Sequence, residues 1–186
     1  MALADTCDPR VERSYGQLVD ALRLLLQTRD PREISVSALC AAAGVSRPTF
    51  YQHFSSVDEV AVVGVQRRIA ELSADLPAGP DPVARLLVRW LEALDAERAL
   101  WRRTIGSAFA SCRESIETWL AGQIVEQLAE RGTAASVTAV RYAAAGFLGV
   151  TRAWLLEDDG PDRLTPEQLA AELSGLSARV ISATAS

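Results

Sequence analysis

The segment from Cys40 to Phe54 constrains the fold of this chain more than any other part of the sequence. Its first and last portions each have the apolar spacing of a short helix, and Gly44 lies between them. Glycine readily adopts the positive φ that ends one helix and lets the chain turn sharply into the next. The segment therefore predicts two short helices joined by a tight turn, which is the arrangement of a helix-turn-helix.

The spacing of the apolar residues predicts which face of each short helix is buried. Leu39 and Ala43 lie on the inner face of the first helix, and Phe50 and Phe54, four residues apart, lie on that of the second. Cys40 falls where the two helices would cross, and only a small side chain fits there. We therefore predict Cys40 to be a buried small residue rather than a redox sensor.

The opposite face of the second short helix carries an unusual mixture of groups without an acid. The residues on this face are Arg47, Pro48, Thr49, Tyr51, Gln52 and His53. Their side chains can donate hydrogen bonds to phosphates and base edges, and can contact thymine methyl groups. A helix of about seven residues is ~10 Å long, which suits the major groove of DNA. This face is a candidate DNA-binding surface.

Helical patterns extend through the rest of the chain. An amphipathic helix is predicted over 9–29, ending at Asp30-Pro31, and a long helix is predicted after Ser55 or Ser56. Beyond a proline-rich break at 76–82, helices are predicted at roughly 82–96, 97–110, 112–131, 134–157 and 165–183. No strand pattern is convincing, and the dominant alanine and leucine favour helix. The sequence predicts an all-α protein.

The run ISVSALCAAAGVSRPTFYQHF, residues 34–54, resembles the DNA-binding signature of TetR-family transcriptional regulators. The glycine-valine-serine turn at 44–46 and the TFYQHF run at 49–54 carry the resemblance, which is specific over about residues 10–65. Beyond that range it is architectural only. The resemblance implies a helix-turn-helix DNA-binding domain over 1–55 and a helical effector-binding and dimerisation domain over 56–186.

The resemblance also implies roles for individual side chains in DNA binding. These are Ser35 and Ser37 for the DNA backbone or a base, Arg47, Pro48 and Thr49 for base edges, and Tyr51 and His53 for phosphates. One position departs from the family pattern. The lysine that often begins the fourth helix and reaches a phosphate is replaced by Val57, so the N–H groups of that helix end would have to serve instead.

Two functions remain open at this stage. The resemblance implies a regulator, by family default a repressor, which binds palindromic operator DNA as a homodimer and is released by a small-molecule effector. The alternative is a helical small-molecule or protein-binding module that has lost DNA binding. Val57 and the charge distribution suggest this alternative, because residues 1–55 are balanced and the whole net charge of −5 lies in residues 56–186.

Aromatic residues of the C-terminal helices predict an effector pocket. Ligand sites are lined mainly by apolar and aromatic groups. The candidate lining residues are Trp90, Phe109, Trp119 and Tyr142, with core packing as the alternative for each tryptophan. Few charges accompany these residues, so an apolar or aromatic effector is expected.

The last two predicted helices carry more apolar surface than one buried face requires. In the resembled family such a surplus forms a four-helix dimer interface, and the alternative is the core of a monomer. The candidate interface residues are Phe147, Leu148, Trp154, Leu155, Leu169, Leu173 and Leu176. A dimer would let two short helices read a palindrome with half-sites ~34–36 Å apart.

Other functional classes lack support in the sequence. Cys7, Cys40 and Cys112 are widely spaced, and with a single histidine they make neither a disulfide framework nor a zinc site. His53 has no nearby acid that would complete a Ser-His-Asp arrangement. We therefore expect neither an enzyme nor a metal or cofactor site. No signal peptide or membrane span is visible, so a cytoplasmic protein is expected.

Overall fold

The computed structural model describes residues 9–76, 81–105, 112–130 and 132–183, and this part of the chain folds into helices with no strand. The helices are α1 (Pro9–Thr28), α2 (Val36–Ala43), α3 (Arg47–His53), α4 (Val57–Ala74), α5 (Pro82–Ala96), α6 (Arg98–Ile105), α7 (Cys112–Glu130), α8 (Val137–Leu156) and α9 (Pro166–Ser182). The predicted all-α fold is confirmed. Among the described residues, no helix is both long and apolar enough to cross a membrane.

Local capping interactions set the boundaries of α2 and α3. The Ser35 hydroxyl accepts a hydrogen bond from the Ala38 N–H, 3.2 Å away, at the start of α2. Gly44 ends α2 in the left-handed conformation with φ of 66°, as the turn requires. The Ser46 hydroxyl then accepts from the Thr49 N–H, also at 3.2 Å, and begins α3. The predicted helix-turn-helix is confirmed in its boundaries.

Helices α1 to α4 share one hydrophobic core. Leu18 of α1, Leu39 of α2, Phe50 of α3 and Val60 of α4 are all fully buried in it. Because Val60 belongs to this core, the first half of α4 packs with the helix-turn-helix as well as linking it to the following helices. The domain boundary at residue 55 stays a prediction, and the N-terminal core itself extends past it.

A second core joins α5, α8 and α9. Leu91 and Leu94 of α5 pack there with four residues that the sequence analysis placed in a dimer interface, namely Trp154, Leu155, Leu169 and Leu173. Each of these four is at most 4% exposed within the single chain. A side chain enclosed by its own protomer presents no surface to a partner, so the interface prediction needs correction at these four positions.

Polar contacts at the edge of the second core hold the loop between α8 and α9 in place. The Trp154 indole N–H donates to the Leu164 carbonyl at 2.8 Å, and the Arg163 guanidinium lies 4.3 Å above the Trp154 ring. Arg163 also pairs with Asp95 of α5 at 2.6 Å. The loop between α8 and α9 is thereby tied to α5.

Two arginines of α6 hold the end of α8. Arg98 donates to the Leu155 carbonyl at 3.2 Å, and Arg102 donates to the Leu156 carbonyl at 3.0 Å. The last carbonyls of a helix have no partner within it and carry partial negative charge, so cations are favourable there. These bonds explain why α6 packs against the C-terminal end of α8.

The structure departs from the predicted helix boundaries in several places. A turn of 3₁₀ helix, Pro31–Glu33, was not predicted; the Asp30 carboxylate accepts from the Arg32 N–H at 2.8 Å and starts it. Helix α8 begins at Val137 rather than at 134. The predicted helix over 97–110 is described only as α6, because residues 106–111 lie outside the described residues.

We expect Gly44→Ala to lower the free energy of unfolding by about 1 kcal/mol or more, because a Cβ is strained at positive φ. Space is not the cause, since no atom lies within 4 Å of the added Cβ. The control is Gly122→Ala in the exposed middle of α7, also without a close neighbour. This change should stabilise by about 0.5–1 kcal/mol. Urea unfolding of both variants tests the pair, and equal effects would contradict this account of the turn.

Candidate nucleic-acid interface

Two buried phenylalanines fix the orientation of α3. Phe50 is fully buried and Phe54 is 2% exposed, and their ring centroids lie 5.9 Å apart. Tyr15 of α1 packs on Phe54 with a centroid distance of 4.4 Å. Since one face of α3 is held against α1 in this way, its other face must point to solvent.

The outward face of α3 has the composition and the exposure of a binding surface. Arg47, Pro48, Tyr51 and Gln52 are exposed, and Thr49 is half-buried. Tyr51 is 54% exposed and its ring stands edge-on against Phe50, with centroids 5.3 Å apart. The edge contact directs the phenol away from the core. A helix with an acid-free, donor-rich outer face can approach a polyanion without like-charge repulsion.

Neighbouring side chains orient the hydroxyl and imidazole groups of this surface. The hydroxyls of Ser46 and Thr49 are 2.7 Å apart and share a hydrogen bond, so the cap of α3 also fixes the Thr49 rotamer. The His53 ring lies half-buried with its centroid 5.6 Å from that of Tyr15. Both groups are therefore held in place before any ligand binds.

The two predicted serines at the start of α2 are placed differently. Both Ser35 and Ser37 are exposed. The Ser35 hydroxyl already accepts the Ala38 N–H as the cap of α2, which leaves its own proton for an outside acceptor. The DNA contacts of the seven residues remain predictions, while the fold presents all of them on α2 and α3 of the same helix-turn-helix.

The side chain of Glu59 makes hydrogen bonds at the start of α4. Glu59 accepts hydrogen bonds from the Ser55 N–H at 2.7 Å and the Ser55 hydroxyl at 2.9 Å, and its own N–H donates to Ser56 Oγ at 3.2 Å. Ser56 thus caps α4, and the Glu59 side chain reaches back to Ser55, the residue before the cap. The Glu59 N–H is occupied in this way, while the expectation that N–H groups of this helix end replace the lysine missing at Val57 stays a prediction.

Cys40 lies beneath the recognition helix as a buried small residue. It is 5% exposed and packs in the N-terminal core. Burial raises the pKa of the Cys40 thiol, and the positive charge of Arg47 opposes this shift. A neutral, enclosed thiol is a poor nucleophile, so its position agrees with a packing role.

The residues predicted to line an effector pocket are spread over the C-terminal helices. Trp90 is half-buried and packs edge-on against Trp101, with centroids 6.4 Å apart. Trp119 is half-buried on α7, while Tyr142 is 68% exposed on α8. Phe109 lies outside the described residues. The high exposure of Tyr142 is that of a surface group rather than a pocket wall.

A shallow cleft between α7 and α8 was not predicted from the sequence. It encloses about 190 Å³ and is lined by Glu114, Glu117, Thr118, Ala121 and Arg141. Four of these five lining residues are polar or charged and none is aromatic, in contrast to the aromatic pocket that the sequence predicted. Among the described residues, no group of three or more histidine, cysteine or acidic side chains could hold a metal ion.

The described helices form a helix-turn-helix unit followed by a helical C-terminal half. Residues 18–62 match the sequence model of a family described as bacterial regulatory proteins, tetR family. This match covers α2, α3 and the adjoining parts of α1 and α4. The chain therefore carries an N-terminal segment that matches the TetR family of bacterial regulatory proteins.

Solved structures with low sequence identity share the whole fold. Lin0861 from Listeria innocua superposes with a TM-score of 0.69 at 20% identity, covering 94% of each chain. The dihydroxyacetone kinase operon activator DhaS superposes with a TM-score of 0.57 at 20% sequence identity, and the match covers 93% of this chain and 98% of DhaS. The TetR family repressor AlkX from Dietzia sp. superposes with a TM-score of 0.55 at 17% sequence identity, and the match covers 98% of this chain and 100% of AlkX. A search of curated proteins gave no significant match.

The burial of the Cys40 thiol predicts how the stability of the folded protein depends on pH. Because burial raises the pKa of Cys40 in the folded state, the stability it contributes is complete below the unfolded-state pKa of about 8.5. It is lost as pH rises through the higher folded value. Urea unfolding of wild type and Cys40→Ala at neutral and alkaline pH should show a smaller alkaline loss for the variant. Parallel losses would exclude Cys40 as the titrating group.

Proposed function

We propose that this regulator is a repressor that binds a palindromic operator as a homodimer in the cytoplasm and is released by a small-molecule effector. The observation that carries DNA binding is the exposed, acid-free face of α3, fixed from behind by Phe50 and Phe54. Base edges would be read by Arg47, Pro48 and Thr49, and phosphates would be bound by Tyr51 and His53. Ser35 and Ser37 of α2 would contact the backbone or a base.

The sign of regulation is the part of this proposal that the fold supports least directly. AlkX is a repressor and DhaS is an operon activator, and this chain shares its fold with both. We propose repression because it needs only that the dimer occupy DNA and exclude other proteins.

A homodimer is supported by an exposed apolar face on α8 and α9. Tyr142, Gly146 and Val150 follow one another at steps of four residues and so lie on one side of α8. Tyr142 is 68% exposed, Val150 41%, and Leu176 of α9 47%. Gly146 has no atom within 4 Å of a built Cβ, so a second helix could approach closely. We propose that this face, with the half-buried Phe147 and Leu148, forms the twofold interface.

Effector control requires a physical link between the C-terminal helices and α4. Such links exist near both ends of α4: the Cys112 thiol of α7 donates to the Asp58 carbonyl at 3.2 Å, and Arg89 of α5 donates to the Asp75 carbonyl at 3.4 Å. Movement of α5 or α7 would therefore tilt α4, whose Val60 is locked in the N-terminal core. In a dimer this tilt would change the separation of the two α3 helices.

The effector itself must bind the two states with different affinity. We propose an apolar or aromatic small molecule, because Trp90 and Trp101 lie together beside the second core and offer aromatic surface. Trp119 of α7 and Phe109 remain candidates for the same site. If saturating effector lowers the affinity of the protein for its operator, the result supports coupling between effector and DNA binding. Equal operator affinities with and without effector would rule this coupling out.

The competing function is a helical binding module without DNA affinity. The observation in its favour is the start of α4, where Val57 replaces a cation and the Glu59 carboxylate adds a negative charge. Salt dependence separates the two functions, because contacts with several phosphates make DNA binding fall steeply as salt is raised.

Substitutions on α3 test DNA binding directly. Arg47→Ala and Tyr51→Ala should each weaken binding to the DNA beside the chain's own gene by about 1–3 kcal/mol, measured by fluorescence anisotropy. Arg113→Ala, which removes an exposed arginine from α7, should leave binding unchanged. If all three variants bind as tightly as wild type, α3 is not the recognition helix.

A substitution on α8 tests the dimer interface. Val150→Arg should convert dimer to monomer in analytical ultracentrifugation, because it places a charge in the middle of an apolar contact. Val125→Arg on α7 is the matched control, since Val125 is 50% exposed and lies off the proposed face. Equal dimer fractions for Val150→Arg and wild type would rule out this face as the interface.

A further inference from the structure

We infer that Glu59 is an intramolecular competitor of the DNA backbone and limits the affinity of this regulator for DNA. The inference rests on the proposed DNA-binding function and adds to it a residue that lowers affinity. Its carboxylate occupies hydrogen-bond donors that a phosphate would otherwise receive. The expected consequence is that removing this one charge tightens binding to DNA.

The geometry places the Glu59 carboxylate next to the C-terminal end of α3. Oxygen Oε2 accepts from both the backbone N–H and the hydroxyl of Ser55, at 2.7 and 2.9 Å. Ser55 follows Phe54, the residue that caps the end of α3. The carboxylate is therefore fixed at the C-terminal end of the recognition helix by two bonds rather than moving freely on the surface.

The surroundings leave the charge of Glu59 uncompensated. Glu59 is exposed, and within the described parts of the chain it takes part in none of the ion pairs that arginines form. Asp58 is its neighbour in the first turn of α4. An exposed acid without a cation partner projects its field into the solvent that DNA would occupy.

A duplex bound to α3 brings phosphates near this position. The seven residues of α3 span about 10 Å, while the major groove is about 12 Å wide. Both ends of a helix of this length consequently lie near a sugar-phosphate strand. In the proposed complex the segment from His53 to Ser55, at the C-terminal end of α3, would face such a strand, and the Glu59 carboxylate is bound to Ser55 of that segment.

Two effects then weaken the binding of a DNA phosphate beside Ser55 and Glu59. The first is the repulsion between two negative charges, which weakens with salt. The second is competition for donors, because a phosphate that binds the Ser55 N–H and hydroxyl must displace a charged acceptor already there. Both effects weaken when Glu59 loses its charge, because a neutral amide does not repel phosphate and its oxygen is a weaker acceptor than a carboxylate.

Glutamine at position 59 separates charge from structure. Glutamine has the same length as glutamate, so Glu59→Gln removes the charge and keeps an amide oxygen that can accept from Ser55. Glu59→Gln should bind a generic duplex and the DNA beside its own gene about three- to tenfold more tightly than wild type at low salt. The advantage should shrink as salt is raised.

Two further variants control for other causes. Glu172→Gln removes the same charge from the exposed face of α9, and it should bind like wild type because the charge is remote from α3. Ser55→Ala removes the hydroxyl donor. It should cost little binding in wild type, where the carboxylate holds the hydroxyl. It should cost more in the Glu59→Gln background, where a phosphate is a stronger acceptor than the amide oxygen and takes the hydroxyl.

The outcomes distinguish this inference from the proposed function. Tighter binding by Glu59→Gln, but not by Glu172→Gln, supports the inference. If the wild type binds duplex DNA and Glu59→Gln binds it no more tightly, the inference is overturned and the proposed function stays in place. If neither protein binds any duplex at low salt while both are folded by circular dichroism, the proposed function and the inference both fail.

Discussion

The burial of Phe50 and Phe54 against α1 is the interaction on which the rest of the N-terminal domain depends. These two rings turn one side of a seven-residue helix inward and thereby decide which six side chains face outward. A helix this short is not stable alone in water. Its conformation comes from the packing of the rings, with the Ser46 cap and the Gly44 turn setting where it begins. The binding surface is rigid because the core beneath it is.

Helix α4 extends that core toward the C-terminal helices. Val60 is buried with Phe50 and Leu18, while the carbonyls of Asp58 and Asp75 accept hydrogen bonds from α7 and α5. A rotation of α4 cannot therefore occur without disturbing contacts on both sides. These contacts are the physical basis on which we propose coupling between an effector and the spacing of the two α3 helices of a dimer. The same helix carries Glu59, for which we infer an effect on DNA affinity.

The sequence predicts the helix-turn-helix well because the signals there are local. Ser35, Gly44 and Ser46 act on their immediate neighbours, and the spacing of Phe50 and Phe54 gives the buried face directly. The C-terminal helices are harder to predict. Helix α8 is apolar on more than one side, and periodicity does not show which side meets α5 and α9.

The errors in the C-terminal half follow from this ambiguity. Trp154 and Leu155 pack with Leu91 in the protomer core, whereas Tyr142 and Val150 are exposed. A pattern of spacing identifies an apolar face but not its partner. The bond from Ser55 to Glu59 was also beyond the sequence analysis, because the sequence does not show which donor an acid in the first turn of a helix will reach.

The most direct test of the account is an anisotropy titration of the wild-type protein against the DNA flanking its own gene, at several salt concentrations and beside an unrelated duplex. The account predicts preferential binding to the flanking DNA by a dimer, with an affinity that falls steeply as salt increases. Equal, salt-insensitive or undetectable binding to both duplexes by a folded dimer would contradict DNA recognition by α3. The helical C-terminal half would then be the functional part of the molecule, as a ligand- or protein-binding module.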